Sequence, residues 1–421
     1  MKLSTLTATL GLSAVASAAK HINYTTVKGY FAQDDPSTDP STFDYTSHNF
    51  GLLDRAYEAD QFAIPGSKNL TQWQRFHRQL EYLNDNAPSH VSYKLLFMGR
   101  HGEGWHNAAE DFYGTPAWNG KKEANVEING KQCYWALLTG NTTATWFDAD
   151  LTPAGIEQAQ IAHDYWVSQY QSQKIAFPDA YYSSPMTRAL KTANITFSNL
   201  PLHQTHSAPF IPEVKEGFRE GMSMHTCNAR RSKSYIENLF PGWTFESGFT
   251  EEDELWTGVT AEPSEGQDLR SREALDDIFN PAVDGVPSPS PSSSSFISIP
   301  TPTATPYPGQ CGSSSTHKSH GARKEKAKNL IISITAHSGE ITSILRVIGH
   351  QAFRLSTGAV IPVLVRAEEV FEPEPTTTAV WSVSAYCTAP PATSTESGCV
   401  CASSAAPVTS GYPVFATGTV A

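Results

Sequence analysis

Positive charge is what this chain is short of: 30 Lys and Arg stand against 42 Asp and Glu in 421 residues, a formal net charge of −12. That balance is a poor match for general nucleic-acid binding, and any anion site must work against the field of the whole molecule. Long apolar runs are missing too. The N-terminal stretch Leu3 to Ala19 is too short and too polar to span a bilayer. It follows Met1-Lys2 and closes with Ala16-Ser17-Ala18, the pattern of a secretory signal over 1–18, so a secreted destination is expected. Cysteine is scarce, and none of Cys133, Cys227, Cys311, Cys387, Cys399 and Cys401 has zinc-like spacing with histidine. Secretion would permit disulfides, but the sequence does not choose among the pairings. The chain has no internal repeat, and its tail lacks the apolar close of a lipid-anchor signal.

What is present is a chain that is 39% hydrophobic, enough for one elaborated α/β domain. Open α/β sheets bind ligands outside the carboxyl ends of their strands, so the strand ends are the places to read. The apolar run Tyr93 to Met98 leads into Arg100-His101-Gly102-Glu103-Gly104. A histidine beside an arginine on a glycine-relieved turn can serve as a nucleophile next to a phosphate-binding charge. In Asp179 to Arg188 a β-like run breaks at Ser184, which reads as an N-cap, with Pro185 at the first helical position. Arg188 then falls in the first turn, near the positive helix end that favours anions. The β-branched run Leu330 to Thr335 ends in His337-Ser338-Gly339. Separate strand ends thus offer Arg100 with His101, Arg188, and His337, which points to phosphoryl chemistry.

Between these lie supporting elements. Trp73, Phe76, Leu80 and Leu83 recur at helical spacing and predict an amphipathic helix on the sheet. Thr152 to Gln173 reads as another, with Thr152 as N-cap and Pro153 first. Gly29 to Asp60 is irregular and is expected to drape over the core. The segment from Ala229 to Phe279 holds further helical stretches with Trp243, Phe245 and Trp256, expected to cap the site and set substrate choice. From 281 to 328 the composition turns to Ser, Pro and Thr and then to a basic run, a stretch that cannot bury enough apolar surface to fold and is expected to be a disordered excursion. The reading by segments is a signal at 1–18, an extension packed on the core at 19–90, the core at 91–365, and a Ser/Thr/Pro-rich tail at 366–421. Sequons at Asn23, Asn69, Asn141 and Asn194 are consistent with the secretory route.

These motifs, in this order, resemble the histidine phosphatase superfamily, whose members include the phosphoglycerate mutases. Arg100-His101-Gly102 is similar to the opening motif, and Glu103 and Asn107 fit the mutase-like branch. The acid phosphatase and phytase branch has an arginine and a proline where this chain has Gly104 and His106. Asp150-Leu-Thr-Pro-Ala-Gly155, the segment ending at Arg188, and the segment holding His337 complete the resemblance, over about residues 93 to 365. Fungal proteins of this group share an extension like Gly29 to Asp34 and a stretch like His225-Thr-Cys-Asn228.

The resemblance implies a fold: a three-layer α/β/α sandwich around a mostly parallel sheet, phosphoglycerate mutase-like, with a cap insertion and a disordered loop. It also implies a mechanism. His101 attacks phosphorus and forms a phosphohistidine. Arg100, Arg188 and a protonated His337 hold the phosphoryl oxygens, and Asn107 adds a neutral donor. No metal or other cofactor is then needed. The proton donor is sought among Glu213, Glu216 and Glu220; Glu220, two residues after Phe218 as in the family, is the choice, with Glu216 in reserve beside the substrate. The expected partner is a small phosphorylated substrate. Hydrolysis of phosphate monoesters is the leading expectation, a phosphoglycerate mutase the alternative, and a catalytically silent phospho-ligand binding protein the third.

Overall fold

The computed structural model describes residues 21–62, 69–115, 118, 134–201, 209–279, 329–371, 379–383, 393–395 and 398–400. The expected signal at 1–18 and the low-complexity insertion at 281–328 lie outside these residues. In chain order the elements are β1 (His21–Thr26), α1 (Gln72–Asn86), β2 (Val91–Arg100), α2 (Trp105–Tyr113), α3 (Pro153–Gln173), β3 (Ala180–Ser183), α4 (Thr187–Phe197), β4 (Glu213–Val214), α5 (Lys233–Leu239), β5 (Thr244–Phe245), β6 (Thr260–Ala261), α6 (Ser264–Phe279), β7 (Ile331–Ala336), α7 (Ser338–Val347), β8 (Val360–Val370) and β9 (Ser382–Val383).

One seven-stranded sheet, ordered β1-β8-β2-β7-β3-β4-β5, organises them. From β2 to β5 every pairing is parallel; β8 runs antiparallel to β2, and β1 antiparallel to β8. The short strands β6 and β9 form a separate antiparallel ribbon. Because side chains alternate across a strand, β2 feeds both faces. Leu95 and Phe97 meet Trp73, Phe76 and Leu80 of α1, Trp166 of α3 and Phe197 of α4. Leu96 and Met98 meet Leu275 and Ile278 of α6 and Ile341 and Ile344 of α7. Helices therefore cover the sheet on both sides, giving three layers, and each fully buried side chain such as Phe97 contributes about 1.5–3 kcal/mol relative to exposure. Leu83, the last of the predicted α1 stripe, packs half-buried against the same cluster.

The segment before α1 takes 3₁₀ turns rather than long elements, and its Tyr30, Phe31, Tyr45, Phe50 and Tyr57 are buried with α1. Asp34 holds it together: one carboxylate oxygen accepts the N–H groups of Gly29, Tyr30 and Phe31 at 2.8, 3.0 and 3.0 Å. At the other end, β8 runs past residue 365 to Val370 and pairs there with His21.

Two local expectations are corrected. Ser184 and Pro185 do not start α4, which begins at Thr187 behind Met186. The cap expected from 229–279 is also redistributed. Helix α6 lies in the core on the sheet. Phe245 sits on the edge strand β5, and it packs with Trp243 against Leu190, Val214, Ile236 and Phe249. Trp256 leans on the 223 loop, donating its indole N–H to the Ser223 carbonyl at 2.8 Å.

Candidate active site

The strands β2, β7 and β3 are adjacent and parallel, with Arg100 opposite Ala336 and Ser183 opposite Thr335, so their carboxyl ends open side by side. His101 is the first residue beyond β2 and is 1% exposed. Its backbone is tied on both sides, the N–H to the Ala336 carbonyl at 3.0 Å and the carbonyl to the Gly358 N–H at 3.1 Å. The ring is oriented by Nδ1, 2.6 Å from the Gly102 carbonyl. A carbonyl can only accept, so Nδ1 carries the hydrogen and Nε2 is left with the lone pair.

The glycines of this loop are dictated by a close approach. A Cβ on Gly102 would lie 2.2 Å from the Gly155 carbonyl oxygen, and one on Gly155 would lie 2.0 Å from the Glu103 carbonyl oxygen. The start of α3 is clipped to the loop by Trp105 N–H to Asp150 O and Thr152 N–H to Glu103 O, both 2.9 Å. Thr152 caps α3 through Gly155 N–H and donates to the Glu103 carboxylate at 2.6 Å. Thr152 and Glu103 thus brace the loop.

Arg188 comes from the first turn of α4, where its Nε lies 3.3 Å from His101 Nε2 and its Nη1 donates to the Cys227 carbonyl at 3.0 Å. The helix start is capped from a distance. Asp148 accepts the Thr187 N–H at 2.8 Å and the Thr187 hydroxyl at 2.6 Å, and Arg231 lies 3.3 Å behind it. Asp148 itself takes φ +40°, in the left-handed region that Asp tolerates better than most residues. Ser184, freed from capping, holds Nε2 of His337 at 2.7 Å. The His337 ring centroid is 5.0 Å from that of His101, and His337 Nδ1 has no hydrogen-bond partner among the described residues.

Burial, then Arg188 and Arg100, hold the His101 ring well below the usual histidine pKa. Burial and the same cations do this to His337. Both imidazoles are therefore held neutral. Arg100 anchors by Nη1 on the Leu355 carbonyl at 2.9 Å, and its buried Nε has no partner among the described residues. Asn107 lies in the first turn of α2, its Oδ1 accepting the Gly104 N–H at 3.0 Å, which leaves the amide nitrogen as the donating end.

Among the three candidate acids, Glu220 is the one brought to this cluster. Its carboxylate accepts the Gly339 N–H at 3.2 Å, two residues beyond His337, and the Gly221 N–H at 2.9 Å. Its charge acts on both Arg100 and Arg188. Gly339 is needed there, since a Cβ would lie 2.1 Å from a Glu220 oxygen. The reserve choice, Glu216, is corrected: it is clamped by Arg219 at 3.1 Å and Arg230 at 2.5 Å. Glu213 pairs with Lys215 at 2.9 Å.

Sequence reasoning assigned no role to Asp148 or Arg270, and it read Ser184 only as a cap. It also left His106 open. The His106 ring lies 5.4 Å from that of His101, and its Nδ1 is buried without a partner among the described residues. Next to it, Trp105, Tyr113, Trp118, Trp135 and Trp146 cluster together, and Trp118 packs edge-on against His225 with centroids 6.1 Å apart. This aromatic group, and not Trp243 and Phe245, adjoins the histidines. Among the described residues no group of three or more His, Cys, Asp or Glu side chains is placed to hold a metal ion. What the cluster can do is present a neutral imidazole nitrogen to an electrophile among fixed cations.

Known proteins resemble this chain over most of its length. The family description "Histidine phosphatase superfamily (branch 1)" matches residues 137–252. A protein of Arthroderma benhamiae described as "Probable phosphoglycerate mutase" is 42% identical over 87% of this chain and 91% of its own length. "Phosphomutase-like protein 3" of Candida albicans is 30% identical over 92% of this chain and 94% of that protein. "Probable phosphoglycerate mutase PMU1" of Saccharomyces cerevisiae is 28% identical over 80% of this chain and 94% of that protein.

Proposed function

Because this chain belongs to the histidine phosphatase superfamily, in its phosphoglycerate mutase-like branch, we propose that it hydrolyses phosphate monoesters through a phosphohistidine on His101, without a metal ion. The observation that carries the proposal is the state of that ring: Nδ1 is committed to the Gly102 carbonyl, so Nε2 faces Arg188 with its lone pair. In the first step Nε2 attacks phosphorus and the bond to the ester oxygen breaks. Protonated Glu220 gives its proton to the leaving alkoxide. Arg100, Arg188 and the Asn107 amide nitrogen hold the phosphoryl oxygens, and His337, held neutral by burial and the arginines, takes up a proton as the dianion enters. In the second step water attacks the phosphohistidine, Glu220 accepts its proton, and inorganic phosphate leaves with Nε2 restored.

A second reading, transfer of phosphate back to another hydroxyl, is favoured by the names of the relatives. Release of inorganic phosphate measured against positional transfer within a phosphorylated hydroxy acid separates the two, with His101→Ala as control. Free phosphate dependent on His101 supports hydrolysis; isomerised product without it supports the mutase. The secretory route belongs to the same proposal, supported by the 1–18 pattern and by exposed sequon residues Asn23 and Asn141. Its check is whether protein recovered from culture medium begins near Ala19 and carries glycans.

A further inference from the structure

The 217–221 loop that carries Glu220 is not rigid by virtue of its own sequence; it is held by one face of α6. Gln267, Arg270, Ser271 and Ala274 recur at helical spacing and all face it or the element behind it. Gly217 packs so tightly on Ala274 that a Cβ there would lie 2.8 Å from the Ala274 methyl group, and Gln267 sits against Gly221. Arg270 does most of the holding. Its Nη1 donates to the Gly217 carbonyl at 2.8 Å and the Arg219 carbonyl at 3.0 Å, and its Nη2 lies 3.5 Å from the Glu220 carbonyl.

The other edges of the same guanidinium meet two carboxylates. Glu262 accepts from Nε at 3.1 Å and from Nη2 at 2.8 Å, and Glu340 lies 3.3 Å from Nη1. Glu340 is fully buried. It is fixed in turn by the Ser271 hydroxyl at 2.7 Å and the Gln267 amide at 3.2 Å. It directly follows Gly339, whose N–H holds the Glu220 carboxylate. One side chain therefore joins the backbone on which Glu220 is mounted to the helix start on which its carboxylate rests.

From this we infer that Arg270 is a positioning residue for proton transfer: by fixing the 217–220 carbonyls relative to Glu340 and Gly339, it sets where the Glu220 carboxyl meets the leaving-group oxygen. The inference rests on the reading of Glu220 as the acid. It touches no substrate and acts only through Glu220, so its loss is felt where the leaving group needs a proton. A fork that donates to two carbonyls and a carboxylate at once is not replaced by the single ammonium of lysine.

The test compares an alkyl phosphate, whose alkoxide must be protonated, with 4-nitrophenyl phosphate, whose leaving group departs unaided. Read as kcat/KM, which reports only the steps up to departure of the leaving group, Glu220→Gln is expected to slow the alkyl ester by on the order of 10²-fold or more and the nitrophenyl ester far less. Arg270→Lys, and Glu340→Gln as a nearly isosteric second variant should Arg270→Lys fold poorly, are expected to show the same selectivity at about 10-fold for the alkyl ester. Equal slowing of both esters in Arg270→Lys and Glu340→Gln, with Glu220→Gln still selective, overturns the inference alone. If Glu220→Gln is itself unselective, the reading of Glu220 fails and the inference with it.

Discussion

Arg188 directs its Nε–H at Nε2 of His101 across 3.3 Å, so the nitrogen assigned to attack phosphorus is met by the side chain assigned to grip the phosphate. An incoming phosphoryl group takes over both ends of this contact, with phosphorus at the lone pair and an oxygen at the N–H. Removing the guanidinium in Arg188→Ala is expected to lower kcat/KM on the order of 10²–10³-fold, the usual effect of deleting one donor to transition-state charge. Arg188→Lys should recover little, because an ammonium cannot reach the ring nitrogen and the Cys227 carbonyl together. Steady-state kinetics on one monoester for all three proteins check this.

Asp148 governs where Arg188 stands, because it caps Thr187, the residue before it. Asp148→Ala is expected to destabilise the fold by about 1–2 kcal/mol, the effect of losing an N-cap, and to lower activity as the first turn of α4 frays. Asp148→Asn keeps an acceptor and should keep most of the stability. Urea unfolding of the three proteins, paired with activity, is the measurement. A cap loss that leaves kcat/KM untouched would separate this helix end from the site.

Acid should unfold this protein from the active site outward. His101, His106 and His337 are held well below the ordinary histidine value, first by burial and then by the neighbouring arginines, and burial alone takes His225 to about 4. In the unfolded chain these rings protonate below about pH 6.5, while in the fold they stay neutral. The unfolded state then binds more protons, so stability present above about pH 6.5 is lost as pH falls toward the folded values, each ring contributing up to about 1.4 kcal/mol per pH unit. Urea midpoints at about pH 7.5 and about pH 5 should differ sharply, and His225→Gln should reduce the difference. A midpoint independent of pH over this range would contradict the buried neutral state.

Which parts of this site could be read from the chain follows from the range of the interactions. His101, Arg100 and His337 were legible because β2 and β7 are near-continuous apolar runs, as central parallel strands are, and end in glycine-relieved turns, and Arg188 because it opens a helix after a strand. Thr152 and Pro153 read correctly since an N-cap is a local device. Ser184 misread for the opposite reason: the true cap, Asp148, lies 39 residues upstream and meets Thr187 only through the fold. Glu216 looked as free as Glu220 until Arg230, 14 residues on, was found against it. Phe245 was taken for cap because a two-residue edge strand such as β5 leaves no periodicity to read. The hold of Arg270 on the Gly217 carbonyl, across 53 residues, has no sequence signature at all.

The most direct measurement is to capture the covalent state. The protein is mixed with a monoester labelled with ³²P on phosphorus, quenched in strong base within a turnover, and the label is located by peptide mapping. The expected result is base-stable, acid-labile label on the peptide containing His101, absent from His101→Ala and accumulating in Glu220→Gln when a good leaving group makes the first step independent of the acid. Turnover of the monoester with no label on His101, or with activity retained in His101→Ala, would contradict the account.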